Sequence, residues 1–175
     1  MNSSKRNKTN NNKKYIAIDD TEYTATDFLN NKKIYEILNK YKDYNKNLKD
    51  QNKITKKVQE LMHDLYALKI MCQNYQDFVD DIDIGSTEDI NKYDILQCLA
   101  IITFIQRKDY WAGGLDDTYY EYTNNNILPT LINRIIDLYL EKTLKWVFIW
   151  IFKKVCEWIV SSQTFYFTFS IDFQY

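Results

Sequence analysis

Glycine, proline and histidine are scarce in this chain of 175 residues, which has three glycines, one proline and one histidine. So few turn formers argue against a β-rich fold, because tight turns need residues that tolerate unusual backbone angles. The single histidine, His63, argues against imidazole metal sites and against mechanisms in which histidine activates serine or cysteine. The three cysteines form no CxxC pair, which argues against a zinc ribbon or a dithiol redox motif. The sequence therefore predicts a mainly α protein that is not an enzyme and uses no metal or cofactor.

The three cysteines also bear on the compartment. Cys72, Cys98 and Cys156 lie among apolar residues, where a free thiol behaves as a small hydrophobic side chain. Residues 1–14 are basic but lack the apolar stretch of a secretory signal. We therefore expect reduced thiols and a cytoplasmic location.

The net charge of −1 conceals an uneven distribution. Residues 1–57 carry a balance of +7, residues 58–124 carry −9 and the rest carry +1. A basic N-terminal third can bind nucleic acid by neutralising phosphates, or it can pair with the chain's own acidic middle, and we favour the second interpretation. The nucleic-acid hypothesis depends on Lys5, Arg6, Lys8, Lys13, Lys14, Lys32 and Lys33.

The N-terminal half is typical of an arm followed by helices. Residues 1–13 are polar and low in complexity, and we predict a disordered basic arm before a single helical domain over 14–175. We predict a helical hairpin over 28–80 that turns near 45–52. Its second helix carries a heptad pattern, which we expect to pack within the chain, with a homodimer as the alternative. The members of this pattern are Ile54, Val58, Leu61, Leu65, Leu68, Cys72, Tyr75 and Val79.

The middle of the chain predicts a core helix over 88–108. Its residues are apolar on nearly all sides from Ile95 to Ile105, which is typical of a helix at the centre of a bundle. We expect Gly85 to end the preceding helix and Ser86 or Thr87 to cap this one.

The stretch RKDYWAGGLDDTYYEY (107–122) follows the core helix. A glycine just past a helix end typically adopts a left-handed conformation, so we expect Gly113 to stop the helix and reverse the chain. The tyrosines and acids beyond it suit a loop that contacts another protein, since tyrosine buries a large area at low entropic cost. They are equally consistent with tyrosines that pack over the end of the helical bundle. The candidate interaction residues are Arg107, Tyr110, Trp111, Gly113, Gly114, Asp116, Asp117, Tyr119, Tyr120 and Tyr122.

The C-terminal third predicts a long helix and a strand. Asn126 and Pro129 suit the start of a helix over 127–160. Within it, residues 142–160 combine tryptophan with lysine, which favours a buried helix with lysines at its edge over a helix lying in a membrane interface. Strict alternation then predicts a strand over 164–174, paired with residues 14–19 or with a second protomer. The predicted architecture is thus a mainly α bundle of four to five helices with a long C-terminal helix and one C-terminal strand.

The segments LQCLAIITFIQRKDYWAGGL and NNNILPTLINRII share a pattern with known proteins: an apolar helix ending in Thr-x-x-x-Arg, an aromatic residue, a glycine, and a second helix with a Leu/Arg pattern. On these residues, 96–136 resembles an uncharacterised family of small bacterial and archaeal proteins, the domain-of-unknown-function family 6508. The resemblance implies a helical fold and no known activity. The matching positions are Thr103, Arg107, Tyr110, Gly113 or Gly114, Leu131 and Arg134.

We therefore expect a small, non-catalytic helical interaction protein that binds a protein partner. Such chains are common among phage and mobile-element accessory genes, and one plausible form binds and inhibits a host macromolecule such as a defence nuclease. The alternatives are nucleic-acid binding through the basic N-terminal third and peripheral attachment to a membrane surface through 142–160.

Overall fold

The computed structural model describes residues 14–46, 48–80, 84, 86–113 and 117–171, with side chains as far as Ile159. About 70% of the chain is helical, with seven α-helices in the described part, so the mainly α prediction is confirmed. The chain divides into two compact units, residues 1–138 and 139–175, a division that the sequence analysis did not predict. The predicted disordered arm over 1–13 lies outside the described residues.

The first unit opens with a short antiparallel pair of strands. Strand β1 (Tyr15–Ile16) pairs with β2 (Glu22–Tyr23). Just past β1, Ala17 forms an isolated bridge with Cys72. Strand β1 thus pairs with β2. The predicted pairing of residues 14–19 with a C-terminal strand, for which a second protomer was the alternative partner, is not confirmed.

Four helices follow, and side-chain caps start three of them. Thr24 forms a capping box with Asp27 at the first helix, and Asn31 and Asp50 accept backbone hydrogen bonds at the starts of the second and third. Each cap satisfies an amide that a helix start otherwise leaves without an acceptor. The four helices are α1 (Ala25–Asn30), α2 (Lys32–Lys40), α3 (Gln51–Ala67) and α4 (Gln76–Val79).

Helices α2 and α3 pack against each other as a hairpin with a connection between Lys40 and Gln51. The predicted bounds of 28–80 are wrong, because separate helices, α1 and α4, occupy the two ends of that range. The predicted heptad pattern continues along α3 for only four of its eight residues. Its first four members, Ile54, Val58, Leu61 and Leu65, are buried on α3. The later four lie beyond the helix end, because Lys69 has a left-handed φ of 59° and the backbone at 71–73 bonds instead to Ile16 and Ile18.

Helix α5 (Ile95–Trp111) is the central helix of the first unit and contacts α1, α4 and α6. Burial on nearly all sides is confirmed, but the predicted start is wrong. Tyr93 is extended, with a ψ of 143°, so the 3₁₀ turn before it does not continue into the helix. Asp94 supplies the cap through a capping box with Gln97.

The last two helices are α6 (Thr118–Asn124) and α7 (Ile127–Ile171). Helix α7 begins where predicted, with Pro129 in its first turn. The strand predicted over 164–174 is not confirmed, because α7 continues to Ile171 and residues 172–174 lie outside the described part. Extending an existing helix needs no new nucleus, whereas a lone strand needs a partner.

Candidate functional site

The most prominent candidate site is an exposed apolar stretch of α7 in the second unit, residues 140–159, which we call the apolar segment. Every described side chain from 143 to 159 is exposed. Among the described residues, twelve of the fifteen exposed large hydrophobic side chains belong to this segment. They are Leu140, Leu144, Trp146, Val147, Phe148, Ile149, Trp150, Ile151, Phe152, Val155, Trp158 and Ile159.

Five aromatic side chains dominate this surface, and each is 60–73% exposed. A large aromatic side chain buries about 150–250 Å² when fully covered, so five at this exposure present on the order of 600 Å². Monomeric proteins rarely leave a contiguous apolar patch of more than a few hundred Å² uncovered. The five are Trp146, Phe148, Trp150, Phe152 and Trp158.

The favoured interpretation of 142–160 as a buried helix is therefore wrong for its described side chains. The sequence shows that the segment is apolar, but an apolar helix can be covered by its own chain or by something else. Its Lys154 and Glu157 form an ion pair along the helix, with an Nζ–Oε2 distance of 2.8 Å. None of the helices in the described part of the chain is long and apolar enough to cross a membrane.

The residues predicted to form an interaction loop do not form one exposed loop. Tyr110 and Trp111 lie at the end of α5, exposed and edge to face, with ring centroids 5.8 Å apart. Gly113 has the expected left-handed conformation, with a φ of 67°. Gly114 and Asp116 lie outside the described residues.

The rest of that predicted loop forms helix α6, whose tyrosines differ in exposure. Tyr119 is buried, and burial next to Asp109 raises the pKa of its hydroxyl. Tyr120 and Tyr122 are half-buried, and so is Arg107, which lies on α5. Asp117 is exposed and accepts a hydrogen bond from the Gln51 amide. The loop residues therefore divide between the core and the surface of the first unit.

The basic residues of the nucleic-acid hypothesis lie mostly outside the described part of the chain. Lys14 pairs with Glu22 at 2.9 Å, and Lys32 pairs with Glu36 at 3.0 Å. Lys33 is exposed, whereas Lys5, Arg6, Lys8 and Lys13 are outside the described residues. Two of these three described lysines thus have a carboxylate beside them, although Glu22 and Glu36 belong to the basic region itself and not to the acidic middle with which we expected it to pair.

A polar cluster that sequence reasoning missed joins α2 to α3. The Tyr41 hydroxyl donates to Asp64 Oδ2 at 2.7 Å, and Lys40 Nζ donates to the same oxygen at 3.0 Å. These two bonds lower the pKa of Asp64, while burial and the neighbouring Asp64 carboxylate raise the pKa of Tyr41. The ammonium of Lys57 lies 5.0 Å from the centre of the Tyr41 ring.

Beside this cluster is a surface depression of about 400 Å³. His63 contributes to its lining, exposed, with Nδ1 3.9 Å from Asp64 Oδ1. The Asp64 carboxylate already accepts two hydrogen bonds within the hairpin, so the cluster acts first as a tie between α2 and α3. No sequence pattern identifies this tie, because Tyr41 and Asp64 are brought together only by the turn of the hairpin.

A buried hydrogen bond joins α5 to the backbone at Cys72, which in turn bridges Ala17 beside β1. Thr103 Oγ1 accepts the Cys72 N–H at 3.0 Å and donates to the Leu99 carbonyl at 2.9 Å. Beside it, the Tyr15 hydroxyl donates to the Ile70 carbonyl at 2.6 Å. Burial raises the pKa of Tyr15 and raises that of the Cys72 thiol to about 12. These groups stabilise the fold and are closed to solvent.

Comparisons of the chain with protein families, with curated proteins and with solved structures find no match. The resemblance to family 6508 is therefore neither supported nor contradicted. Of its positions, Thr103 has the buried role just described, and Arg134 Nε donates to the Tyr93 carbonyl at 3.2 Å. Among the described residues, no group of three or more His, Cys, Asp or Glu side chains could hold a metal ion.

Proposed function

We propose that this protein acts by binding other macromolecules and not by catalysis, and that the apolar segment is its binding element. The observation that carries the proposal is the exposure of every described side chain from 143 to 159 in a strongly apolar helix. Exposed apolar surface costs free energy in water, and covering it by association recovers that free energy.

The residue types of the segment support this proposal. The chain has four tryptophans, and three of them, Trp146, Trp150 and Trp158, are exposed in the segment. Tryptophan is enriched among the residues that contribute most to binding at protein interfaces. The clustered titratable groups of Tyr41 and Asp64, in contrast, are engaged in the hairpin.

The proposal extends to the class of target and to the cellular compartment. We propose a protein target, with a host macromolecule such as a defence nuclease as one form of it. The cytoplasm is the proposed compartment, supported by the free, buried thiols of Cys72 and Cys98.

Peripheral attachment to a membrane surface is the second candidate. The observation that favours it is the presence of Lys142, Lys145, Lys153 and Lys154 among exposed tryptophans, because interfacial helices combine these residue types. Nucleic-acid binding has less support, since Lys14 and Lys32 are paired with glutamates.

Photo-crosslinking in cells tests the proposal with a matched control. A benzophenone amino acid replaces Phe148, which is 72% exposed in the segment, or Tyr66, which is 56% exposed on α3. We expect covalent adducts from position 148 and few from position 66, because Phe148 lies in a large exposed apolar surface and Tyr66 does not. Denaturing gels and mass spectrometry identify the adduct as protein or lipid.

Equal yields at the two positions, or no adduct at position 148, would overturn the proposal. A lipid adduct at position 148 would favour the membrane candidate over a protein partner. Adducts of position 148 with a protein would support the proposal and identify the class of target.

A further inference from the structure

One side of the apolar segment carries a regular heptad pattern. Leu144, Phe148, Ile151, Val155 and Trp158 are spaced four, three, four and three residues apart. This spacing places side chains in one row along a helix and is the pattern of helices that pair. We call these five residues the α7 seam.

Three further apolar residues widen the α7 seam, and all eight are exposed. At about 100° per residue, the eight side chains lie within an arc of about 140°. The charged residues of this region, Lys145, Lys153, Lys154 and Glu157, fall outside that arc. The three flanking residues are Val147, Phe152 and Ile159.

The area of this stripe is large enough for a stable contact. Eight side chains at this exposure present an apolar surface on the order of the ~800 Å² that each partner contributes to an interface of standard size. The first heptad pattern, on α3, is covered by its own chain, since Val58, Leu61 and Leu65 are at most 1% exposed. The α7 seam has the same spacing and is exposed.

We infer that the α7 seam binds the α7 seam of a second copy of this chain. This inference rests on the proposed function, because it identifies what covers the apolar segment. A seam with period 3.5 is complementary to an identical helix, since side chains of each copy fit between those of the other. Between residues 144 and 159 the charged side chains lie beside the stripe and not within it, so the facing rows of two copies are apolar.

A bilayer surface fits the segment less well. An interfacial helix needs an apolar side and a strongly polar side. The side opposite the α7 seam carries Trp146, Ile149 and Trp150, all exposed, alongside Lys153 and Glu157, so it is only partly polar. A bilayer also requires no regular spacing of four and three residues.

Sedimentation equilibrium of the full chain tests the inference with two tryptophans of similar exposure on different sides of the helix. Trp158, in the α7 seam, is 70% exposed, and Trp146, outside it, is 64% exposed. We expect the wild-type chain to self-associate, and Trp158→Glu to raise the dissociation constant on the order of 30-fold, as for a hot-spot residue. Trp146→Glu should change it less than about threefold, since surface changes away from a contact have small effects.

Phe148→Glu is a second seam variant, and circular dichroism checks that each variant keeps the wild-type helix content. A wild-type chain that stays monomeric overturns the inference, as does equal weakening by Trp158→Glu and Trp146→Glu. A monomeric chain that sediments with phosphatidylglycerol–phosphatidylcholine vesicles assigns the segment to the membrane instead. In that case the crosslinks from position 148 still appear, so failure of this inference is distinct from failure of the proposed function.

Discussion

Helix α5 and the apolar segment of α7 are both rich in large apolar residues, but they differ in what surrounds them. From Ile95 to Ile105, most side chains of α5 are buried, and Ile102 is 0% exposed. In the apolar segment, Ile149 is 52% exposed. The two helices show that an apolar composition makes exposure to water unfavourable. The composition does not determine whether the helix is buried by its own chain or by a binding partner.

The difference follows from the neighbours of each helix. Helix α5 contacts α1, α4 and α6, so its apolar side chains contribute to the folding of the first unit. The apolar segment keeps its side chains exposed along 143–159. We therefore expect substitutions in α5 to change the free energy of unfolding, and substitutions in the segment to change association.

Thiol reactivity gives the largest expected contrast between the two helices. Cys98 is buried in α5 and Cys156 is exposed in the segment. Burial raises the pKa of the Cys98 thiol from 9.0 to about 12, which lowers its thiolate fraction roughly a thousandfold. With a thiol-specific chromogenic disulfide at neutral pH, we expect Cys156 to react fast and Cys98 only after unfolding.

Cys156→Ser is the control for this measurement and should remove the fast phase. Three fast thiols in the folded chain would show that α5 is open to solvent, contrary to the structure.

Isoleucine truncation gives the next largest contrast. Ile102→Ala in α5 should lower the free energy of unfolding by about 2–5 kcal/mol, because it leaves a cavity in the core. The same substitution at Ile149, outside the α7 seam, should change it by less than about 0.5 kcal/mol. Urea unfolding followed by circular dichroism measures both, and similar losses at the two positions would contradict the difference in burial.

Threonine offers a matched pair for hydrogen bonding. Thr103 in α5 and Thr143 in α7 each donate to the carbonyl four residues earlier, both at 2.9 Å. Only Thr103 also accepts a buried amide, that of Cys72. Thr103→Val should therefore lower the free energy of unfolding by about 1–3 kcal/mol, because that amide loses its acceptor, and Thr143→Val should have little effect. An unchanged free energy of unfolding for Thr103→Val in urea would mean that the hydrogen bond to Cys72 does not stabilise the fold.

The smallest expected effect is at the end of α5. A Cβ at Gly113 meets no heavy atom within 4 Å, so the cost of substitution comes from its left-handed backbone alone. Gly113→Val should lower the free energy of unfolding by about 1–2 kcal/mol, whereas Gly113→Asn should cost less, since asparagine tolerates this conformation. Thermal unfolding compares the two variants, and equal midpoints for valine and asparagine would argue against an anchored turn.

The sequence predicted those elements that local chemistry specifies. Pro129 marked the start of α7, and Gly113 marked the turn after α5, because each residue has a strong backbone preference of its own. The cap of α5 was harder to predict. Asp94, Ser86 and Thr87 all have side chains that can cap a helix, and the extended backbone at Tyr93 shows that α5 starts after it, with Asp94 as the cap. For the candidate site, the sequence identified 142–160 as unusual but could not tell a buried helix from an exposed one.

By itself, the sequence determined a mainly α chain with a strongly apolar C-terminal helix, because scarce glycine and proline and helical apolar spacing are local properties. The tertiary structure decided the rest. It ended the heptad pattern of α3 at Ala67, where the chain turns to pair with the N-terminal strand, and it placed Tyr119 in the core and the apolar segment in solvent. Burial depends on which distant residues come together, and no local pattern of residues records those contacts.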